Sequence, residues 1–593
     1  VTTLNLGAIG NCSFSALIDP KGRVVWCCLP RFDGDPVFNA LLRGEEDPSE
    51  GLFSIELEDL VETEQSYEPN TAVLTTRLHG ASGSLEIVDC APRFFWRDRI
   101  FRPQTLVRRV RPISGTPRIS IRMRPSFAYG TVRPHRTRGS NHVRYVGPEM
   151  TLRLSTDAPI DYVLDETFFN LSAPIDLIVG PDETMEGGVT HVARDFEERT
   201  ANYWRNWVSN LALPYEWQEA VIRAAITLKL CTYEPTGAIV AAMTTSIPEA
   251  PDSGRTWDYR FCWVRDAFFV VRALNSLGTV QTMENYFRYL MDLVADADGG
   301  HLQPVFGLGR ERHLTESIID NLAGYRGMGP VRRGNQAYEH YQHDVYGNVI
   351  LGATQIFFDR RIQMKPTITD FRLLETAGEQ AYKVHNTPDA GMWELRSRSR
   401  VHTSSSLMCW AACDRLAHIA ARLGEKARVT HWRERADEIK ERILAEAWSE
   451  KRKAFMESFG GQTLDASVLL MAEVGFIDPQ DPRFVSTVDQ LEKVLATGPY
   501  MMRYEAADDF GKPEVSFNIC AFWRLDALAR IGRREQAREI FEALLKTRNP
   551  LGMLSEDTHP VTGEMWGNYP QTYSMVGIIN GARRLSKPWE SVV

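Results

Sequence analysis

The sequence predicts a multidomain β-plus-α chain in three parts: an antiparallel β-sandwich over residues 1–190, a helical linker over 191–214 and an (α/α)6 barrel over 215–593. Three observations carry this. The chain has 593 residues, too many for one ordinary hydrophobic core. Its first third reads as short alternating runs separated by turn chemistry. The remainder reads as helix after helix, with no strands needed between them.

The first hairpin is Ser13-Phe-Ser-Ala-Leu-Ile18, the turn Asp19-Pro-Lys-Gly22, and Arg23-Val-Val-Trp-Cys-Cys-Leu29. Period-two runs follow at 51–57, 72–78, 84–89, 104–110, 118–123, 143–146 and 150–154. Many short strands at regular spacing mean an antiparallel sandwich. From 193 the spacing becomes helical, with Phe196, Tyr203, Trp204 and Trp207 on one stripe, and Leu213-Pro214 closes that helix. Helical segments then begin near 216, 265, 280, 337, 369, 403, 426, 464, 481, 515, 533 and 570. Twelve of them pair into six hairpins that can close into a ring, with apolar helices such as 403–416 and 515–523 inside and the charged one at 425–447 outside. The long loops Thr236–Trp263 and Asp298–Gln336 are of the kind that carries function.

The composition, 43% hydrophobic and 24% charged, is that of a soluble globular protein. A net charge of −9 argues against nucleic acid as a partner, because phosphate binding needs a basic face. No apolar run approaches the length of a membrane span, and the N-terminus has no basic segment followed by an apolar stretch. Nine cysteines without a CxxC pair read as buried, reduced thiols, which points to a cytoplasmic protein. The 14 tryptophans suit sugar stacking but also suit a large core.

Three loop stretches hold the chemistry. Pro388-Asp-Ala-Gly-Met-Trp-Glu394 delivers a tryptophan and a carboxylic acid side by side before a helix. Alone it also reads as a capping or surface pair. Arg255-Thr-Trp-Asp-Tyr-Arg-Phe-Cys-Trp-Val-Arg-Asp266 sets aromatic rings around Arg265-Asp266 at a helix start, where a vicinal Arg and Asp can grip adjacent sugar hydroxyls or simply cap the helix. Gly552-Met-Leu-Ser-Glu-Asp557 puts Glu556 before another inner helix. Two carboxyl groups facing each other across a barrel mouth meet the requirement for glycoside hydrolysis. Glu339-His-Tyr-Gln-His343-Asp344 lacks the HExxH spacing of a zinc site, so neither a metal nor a cofactor is expected.

With these stretches in hand, the chain resembles glycoside hydrolase family 15, the glucoamylase and glucodextranase group, in its bacterial-archaeal intracellular branch. The resemblance rests on Gly7-Ala-Ile-Gly-Asn11, Trp26–Asp33, Trp257–Arg260, Trp263–Asp266, Gly324–Gly327, Asp344–Gly347, Pro388–Glu394 and Gly567–Gln571. It implies a β-supersandwich, a helical linker and a catalytic (α/α)6 barrel working by inversion. By motif position, Glu394 matches the general acid and Glu556, rather than Asp557, the general base. Trp263, Arg265 and Asp266 match the terminal-glucose subsite, Tyr259 a tyrosine beside the nucleophilic water, Trp393 the pocket wall and Arg503 a sugar-binding arginine. Extracellular fungal members carry an acid directly after the general acid; here Leu395 stands there, so the site for the second sugar is left open. Arg396, Arg398 and Arg400 nearby either contact substrate or solvate the loop.

The resulting expectation is an inverting, exo-acting α-glucoside hydrolase of glucoamylase type, releasing β-glucose from short α-gluco-oligosaccharides. The alternatives are a trehalase of the same family, a disaccharide phosphorylase and a non-catalytic sugar-binding protein. The sequence does not decide between a monomer and a homo-oligomer.

Overall fold

The computed structural model of the protein describes residues 1–592. Its N-terminal region holds two antiparallel sheets. One runs from Gly7–Gly10 through Ser15–Ile18, Val24–Leu29, Leu52–Leu57 and Arg118–Arg124 to Phe169–Asn170, with Asp35–Phe38 paired to the third strand. The other is ordered His135–Arg138, His142–Val146, Thr151–Thr156, Ile175–Pro181, Leu106–Gly115, Gly83–Cys90, Leu74–Gly80 and Leu60–Tyr67. Leu74, Thr76 and Leu78 are buried while Thr75 and Arg77 face outward, the alternation of a half-covered strand. Val24–Leu29 is buried at every position instead, because the second sheet lies on one face and the helical region on the other. Leu60–Tyr67 was not legible as a strand: it is an edge strand whose Glu62, Glu64 and Gln65 interrupt any apolar period.

Two helices belong with the sheets. Helix α1 is Ile160–Leu164, and α2, Val189–Ser209, lies on Leu106–Gly115 and Ile175–Pro181. Trp204 of α2 is fully buried, and Arg109 of the sheet ties down Glu197 at 2.7 Å.

Twelve helices follow among the described residues. They are α3 Gln218–Leu230, α4 Val264–Ser276, α5 Gln281–Ala297, α6 Asp344–Thr354, α7 Ile368–Val384, α8 Thr403–Leu423, α9 Lys426–Glu446, α10 Leu470–Glu473, α11 Pro482–Leu495, α12 Asn518–Arg530, α13 Arg534–Leu545 and α14 Thr572–Leu585. The even-numbered ones pack in succession: α4 on α6, α6 on α8, α8 on the 3-10 turn Ala466–Leu469 that leads into α10, α10 on α12, α12 on α14, and α14 back on α4. The odd-numbered ones flank them. Helix α9 buries only Trp432, Ala436, Ile439 and Ile443, one stripe at helical spacing, whereas α8 is buried on nearly every side.

Two expectations need correction. The stretch near 337 is a 3-10 turn, Gln336–Glu339, capped by the Asn335 side chain, and the helix proper begins at Asp344. The helical region is also not free of strands. Two-residue pairs such as Cys262–Trp263 with Val305–Phe306 lock its loops, and they are too short to leave any periodic signal.

Many ties join the sheets to the helical region. The Trp26 indole donates to the Met243 carbonyl at 2.8 Å, and Asn549 Nδ2 donates to the carbonyls of Leu4 and Leu6 at 3.2 and 3.0 Å. Tyr569 OH donates to Leu6 O at 2.5 Å. Arg260 reaches Gly34 O and Tyr129 OH, both at 2.9 Å, while paired to Asp258. Thus half of the Trp257–Arg260 motif is structural. All nine cysteines are buried and unpaired, and among the described residues no helix is long and apolar enough to cross a membrane.

One of these ties is ionic. Arg93, wholly buried, forks onto Glu234 at 3.0 and 2.6 Å, and Lys229 Nζ meets the same carboxylate at 2.6 Å. Burial pushes the Glu234 carboxyl up, but Lys229 and Arg93 outweigh it and hold it down at about 2. A depressed carboxyl stabilises the fold above its unfolded value, and that contribution is lost as pH falls toward the folded value. Glu234→Gln leaves two buried cations with a neutral partner and should cost about 3–5 kcal/mol at pH 7. The deficit against the parent protein should shrink as pH falls below about 4.3, the ordinary Glu value; urea denaturation at a series of pH values measures it.

Candidate active site

Loops at one end of the helical region frame a cavity that opens to solvent. Glu394, Glu556, Tyr259, Trp263, Arg265, Asp266, Trp393 and Arg503 all line it. Residues from four distant stretches therefore meet in one space.

The two glutamates stand at opposite ends of an aromatic bracket. Trp263 Nε1 donates to Glu394 Oε1 at 2.6 Å, and Tyr259 OH donates to Glu556 Oε1 at 2.6 Å. The Tyr259 and Trp263 rings meet edge to face, centroids 5.3 Å apart. Each carboxyl is thus fixed by one donor, with two rings between them. Trp263 is held by the strand pair Cys262–Trp263 with Val305–Phe306, and Tyr259 O accepts from Ala242 N.

Glu394 leaves the turn begun at Pro388. Asp389 is the anchor of that turn: its buried carboxylate accepts from His343 N at 2.9 Å, His402 Nδ1 at 2.8 Å and Ser405 Oγ at 2.6 Å. Gly391, at φ +70°, packs so tightly that a Cβ there would lie 2.8 Å from the His402 ring. Glu394 itself has φ +60°, a conformation costing about 1–3 kcal/mol for a residue with a side chain. Such strain persists only where surrounding contacts over-determine it, as Asp389 does here.

Glu556 is set by the small sheet of Ser516–Phe517, Asp557–Thr558 and Met565–Trp566. Its carbonyl accepts from Asn518 N, the first residue of α12, at 3.0 Å. Burial pushes the Glu556 carboxyl well above the usual range and Glu249 adds to that, while the Tyr259 hydroxyl and Arg503 pull the other way. Its Oε2 is buried without a hydrogen-bond partner among the described residues. Asp557 is buried beside it and pushed up for the same reasons, burial first and then Glu556 itself. Asp557 does not line the cavity, as Glu556 does.

Arg265 joins Asp266 at 3.1 Å and the Met392 carbonyl at 2.9 Å, so that α4 and the 388–394 turn are stitched together. Burial raises the Asp266 carboxyl against the pull of Arg265. The Trp393 indole donates to Asp465 at 2.8 Å and packs edge-on against Phe517. Burial lifts Asp465 to about 6. Arg503 donates to Glu249 Oε2 at 2.7 Å, and Trp257 Nε1 donates to Glu249 Oε1 at 2.9 Å.

Sequence reasoning missed Glu249, His340 and the segment Asp508–Phe510, all of which line the cavity. The length of the 236–263 loop was the available signal for Glu249, and His340 lay in the Glu339–Asp344 stretch weighed only as a zinc motif; nothing comparable marked 508–510. Of the three arginines after Leu395, Arg396 alone lines the cavity among the described residues, whereas Arg400 is paired with Glu457. The same residues include no cluster of three or more His, Cys, Asp or Glu able to hold a metal ion.

Gly567 is where this geometry is most exposed to substitution. Its φ is +76°, and a Cβ would lie 2.7 Å from both Glu556 Cβ and Asp557 Oδ2. Gly567→Ala should displace Glu556 and lower kcat/KM by roughly 100-fold, the cost of a 1 Å misplacement. Steady-state kinetics on the folded variant measures this.

Comparison with known proteins places the chain. Residues 217–583 match the family model for glycosyl hydrolases family 15, and residues 4–168 match one described as trehalase-like, N-terminal. The chain is 33% identical to a trehalase of Mycolicibacterium smegmatis, over 97% of this chain and 90% of that protein. It is 34% identical to a trehalase of Mycobacterium tuberculosis, over 95% and 87%, and 30% identical to one of Thermoplasma volcanium, over 98% and 93%. In structure it is similar to a bacterial glucoamylase complexed with acarbose, with a TM-score of 0.69 at 12% identity, covering 98% of this chain and 94% of that one. That likeness establishes a glucoamylase-like fold with an N-terminal antiparallel sheet domain and a helical C-terminal region. On the family match and the full-length similarity together, the chain belongs to glycosyl hydrolases family 15.

Proposed function

We propose that this family 15 hydrolase is a trehalase, cleaving α,α-trehalose with inversion. The reading is carried by the 30–34% identity, over nearly the whole chain, to three proteins named trehalase. It displaces the glucoamylase reading, which the relatives do not specifically support. The geometry is compatible: a cavity with a carboxyl group at each end of an aromatic bracket suits single-displacement hydrolysis of a glycosidic bond. The sheets at 1–190, the linker at 191–214 and the helices at 215–593 are proposed as the three units, with the helices as an (α/α)6 barrel. A small sugar is the proposed partner, and no nucleic acid or membrane has a part in this reading.

In this mechanism Glu394 is the general acid. Its Oε1 is occupied by the Trp263 indole, so Oε2 is the oxygen that carries the proton to the glycosidic oxygen. Glu556 is the general base. Tyr259 holds its Oε1, and Oε2 takes a proton from the water that attacks the anomeric carbon from the opposite face. Arg265 and Asp266 grip hydroxyls of the glucose being cleaved, Trp393 walls that ring and Arg503 binds it from the Glu249 side. Because only one of the two linked anomeric carbons is attacked, inversion yields one β-glucose and one α-glucose per trehalose.

Early NMR spectra should therefore show the two anomers in equal amounts; release of α-glucose alone would refute inversion. Glu394→Gln and Glu556→Gln should each cost about 10²–10⁴-fold in kcat, and near-normal turnover of either variant on trehalose would refute its role. Tyr259 donates to the ionised form of Glu556, which is the working form of a base, so Tyr259→Phe should raise the Glu556 pKa further. The acid limb of kcat/KM should then move to higher pH, as a pH–rate profile of the two proteins would show.

A further inference from the structure

The segment Tyr504–Gly511 crosses between the two loops that frame the outer part of the cavity. Arg255 forks onto Asp508 at 2.6 and 2.5 Å, a pair whose side chains are 8% and 5% exposed. Asp509 accepts from Arg396 N at 2.8 Å and from the Ser397 hydroxyl, two and three residues beyond Glu394. Phe510 packs edge-on against Trp257 at 5.6 Å. One short segment thus ties the 249–257 loop to the 394–397 loop. Asp508 and Gly511 bond each other's backbone in a tight turn, so the crossing is stiff.

The cavity has a direction. Exposure rises along it: Asp266 is buried, Glu394 and Leu395 are half-buried, and Arg396, Asp509 and Phe510 are exposed. Arg396 is itself immobilised, 4.6 Å over the Trp257 ring and 3.1 Å from Glu316, which also holds Arg332 at 2.7 Å. Asp509 and Phe510 line the outer limit, and Phe510 is 44% exposed. A sugar ring cleaved beside Glu394 leaves its partner ring between Glu394 and this braced rim.

We propose that the Tyr504–Gly511 strap, through Asp509 and Phe510, determines chain length by closing the leaving-group side of the site after one sugar ring. Resting on the trehalase reading above, this makes the substrate a two-ring glucoside, with a third ring excluded by the strap. A strap that only braced the fold would affect every substrate alike, whereas one that limits length acts only on substrates reaching past the second ring. An α-glucosyl fluoride has no leaving sugar and reports on the inner subsite alone.

The test compares kcat/KM for trehalose, maltotriose and α-glucosyl fluoride in the parent protein, Phe510→Ala and the double variant Asp509→Ala/Phe510→Ala. The parent should strongly prefer trehalose to maltotriose. The double variant should raise the maltotriose-to-trehalose ratio by about tenfold or more, the scale of discrimination that a steric wall affords, with α-glucosyl fluoride hydrolysis within about twofold of the parent's. An unchanged ratio with fluoride hydrolysis intact would overturn the proposal, and so would equal loss on all three substrates. A parent protein that takes maltotriose as readily as trehalose would overturn it without any variant, even one that misfolds. If the parent hydrolyses neither trehalose nor the fluoride, the hydrolase reading itself fails.

Discussion

In the proposed mechanism two carboxyl groups serve one bond from opposite faces, and such a pair cannot share a single pocket of charge. In a buried space their repulsion would pull both toward protonation. The Tyr259–Trp263 bracket resolves this by interposing two rings while giving each acid one donor at 2.6 Å. Much else in the helical region serves to hold that bracket still. The strand pair at Cys262–Trp263, the Arg265 bond to Met392 O and the Asp389 hub all act on one end of it. Gly567 and the small sheet around Asp557 act on the other.

The environments at the two ends differ. Glu556 is almost fully buried and shares its surroundings with Asp557 and Glu249, against the single guanidinium of Arg503, which Glu249 already engages. Glu394 is half-buried, at the cavity wall. Asp344, near Arg265, is lifted by burial to about 6. The site therefore carries more carboxyl groups than cations, and where the protons sit is set by which of those groups the fold hides from water.

The helices were legible because each inner and outer helix writes its own period: Trp432, Ala436, Ile439 and Ile443 give one stripe, and the buried run of α8 gives the other kind. Glu394 was legible because it sits beside Trp393 in a short stretch of turn residues ahead of α8; Glu556 had only its motif position, since two short strands separate it from α14. What could not be read was whatever depends on pairing at long range. Glu249 matters because Arg503 reaches it from 254 residues away, and Asp509 because it finds the backbone of Arg396 from 113 residues away. Neither stretch has a local pattern that a partner would leave. The edge strand Leu60–Tyr67 escaped for the opposite reason: its local pattern is polar, and only its neighbour Leu74–Gly80 makes it a strand.

The ties from Leu4 and Leu6 to Asn549 and Tyr569 have a consequence for how such a molecule can be rearranged over evolutionary time. Those two residues bracket the stretch that carries Glu556, so residues that never approach a sugar help to set the position of the proposed base. The sheet region is then not a detachable accessory to the helices. A recombination event that joined these helices to a foreign leading segment would have to supply two carbonyls in the same places, and lineages would be expected to inherit both regions as one linked unit.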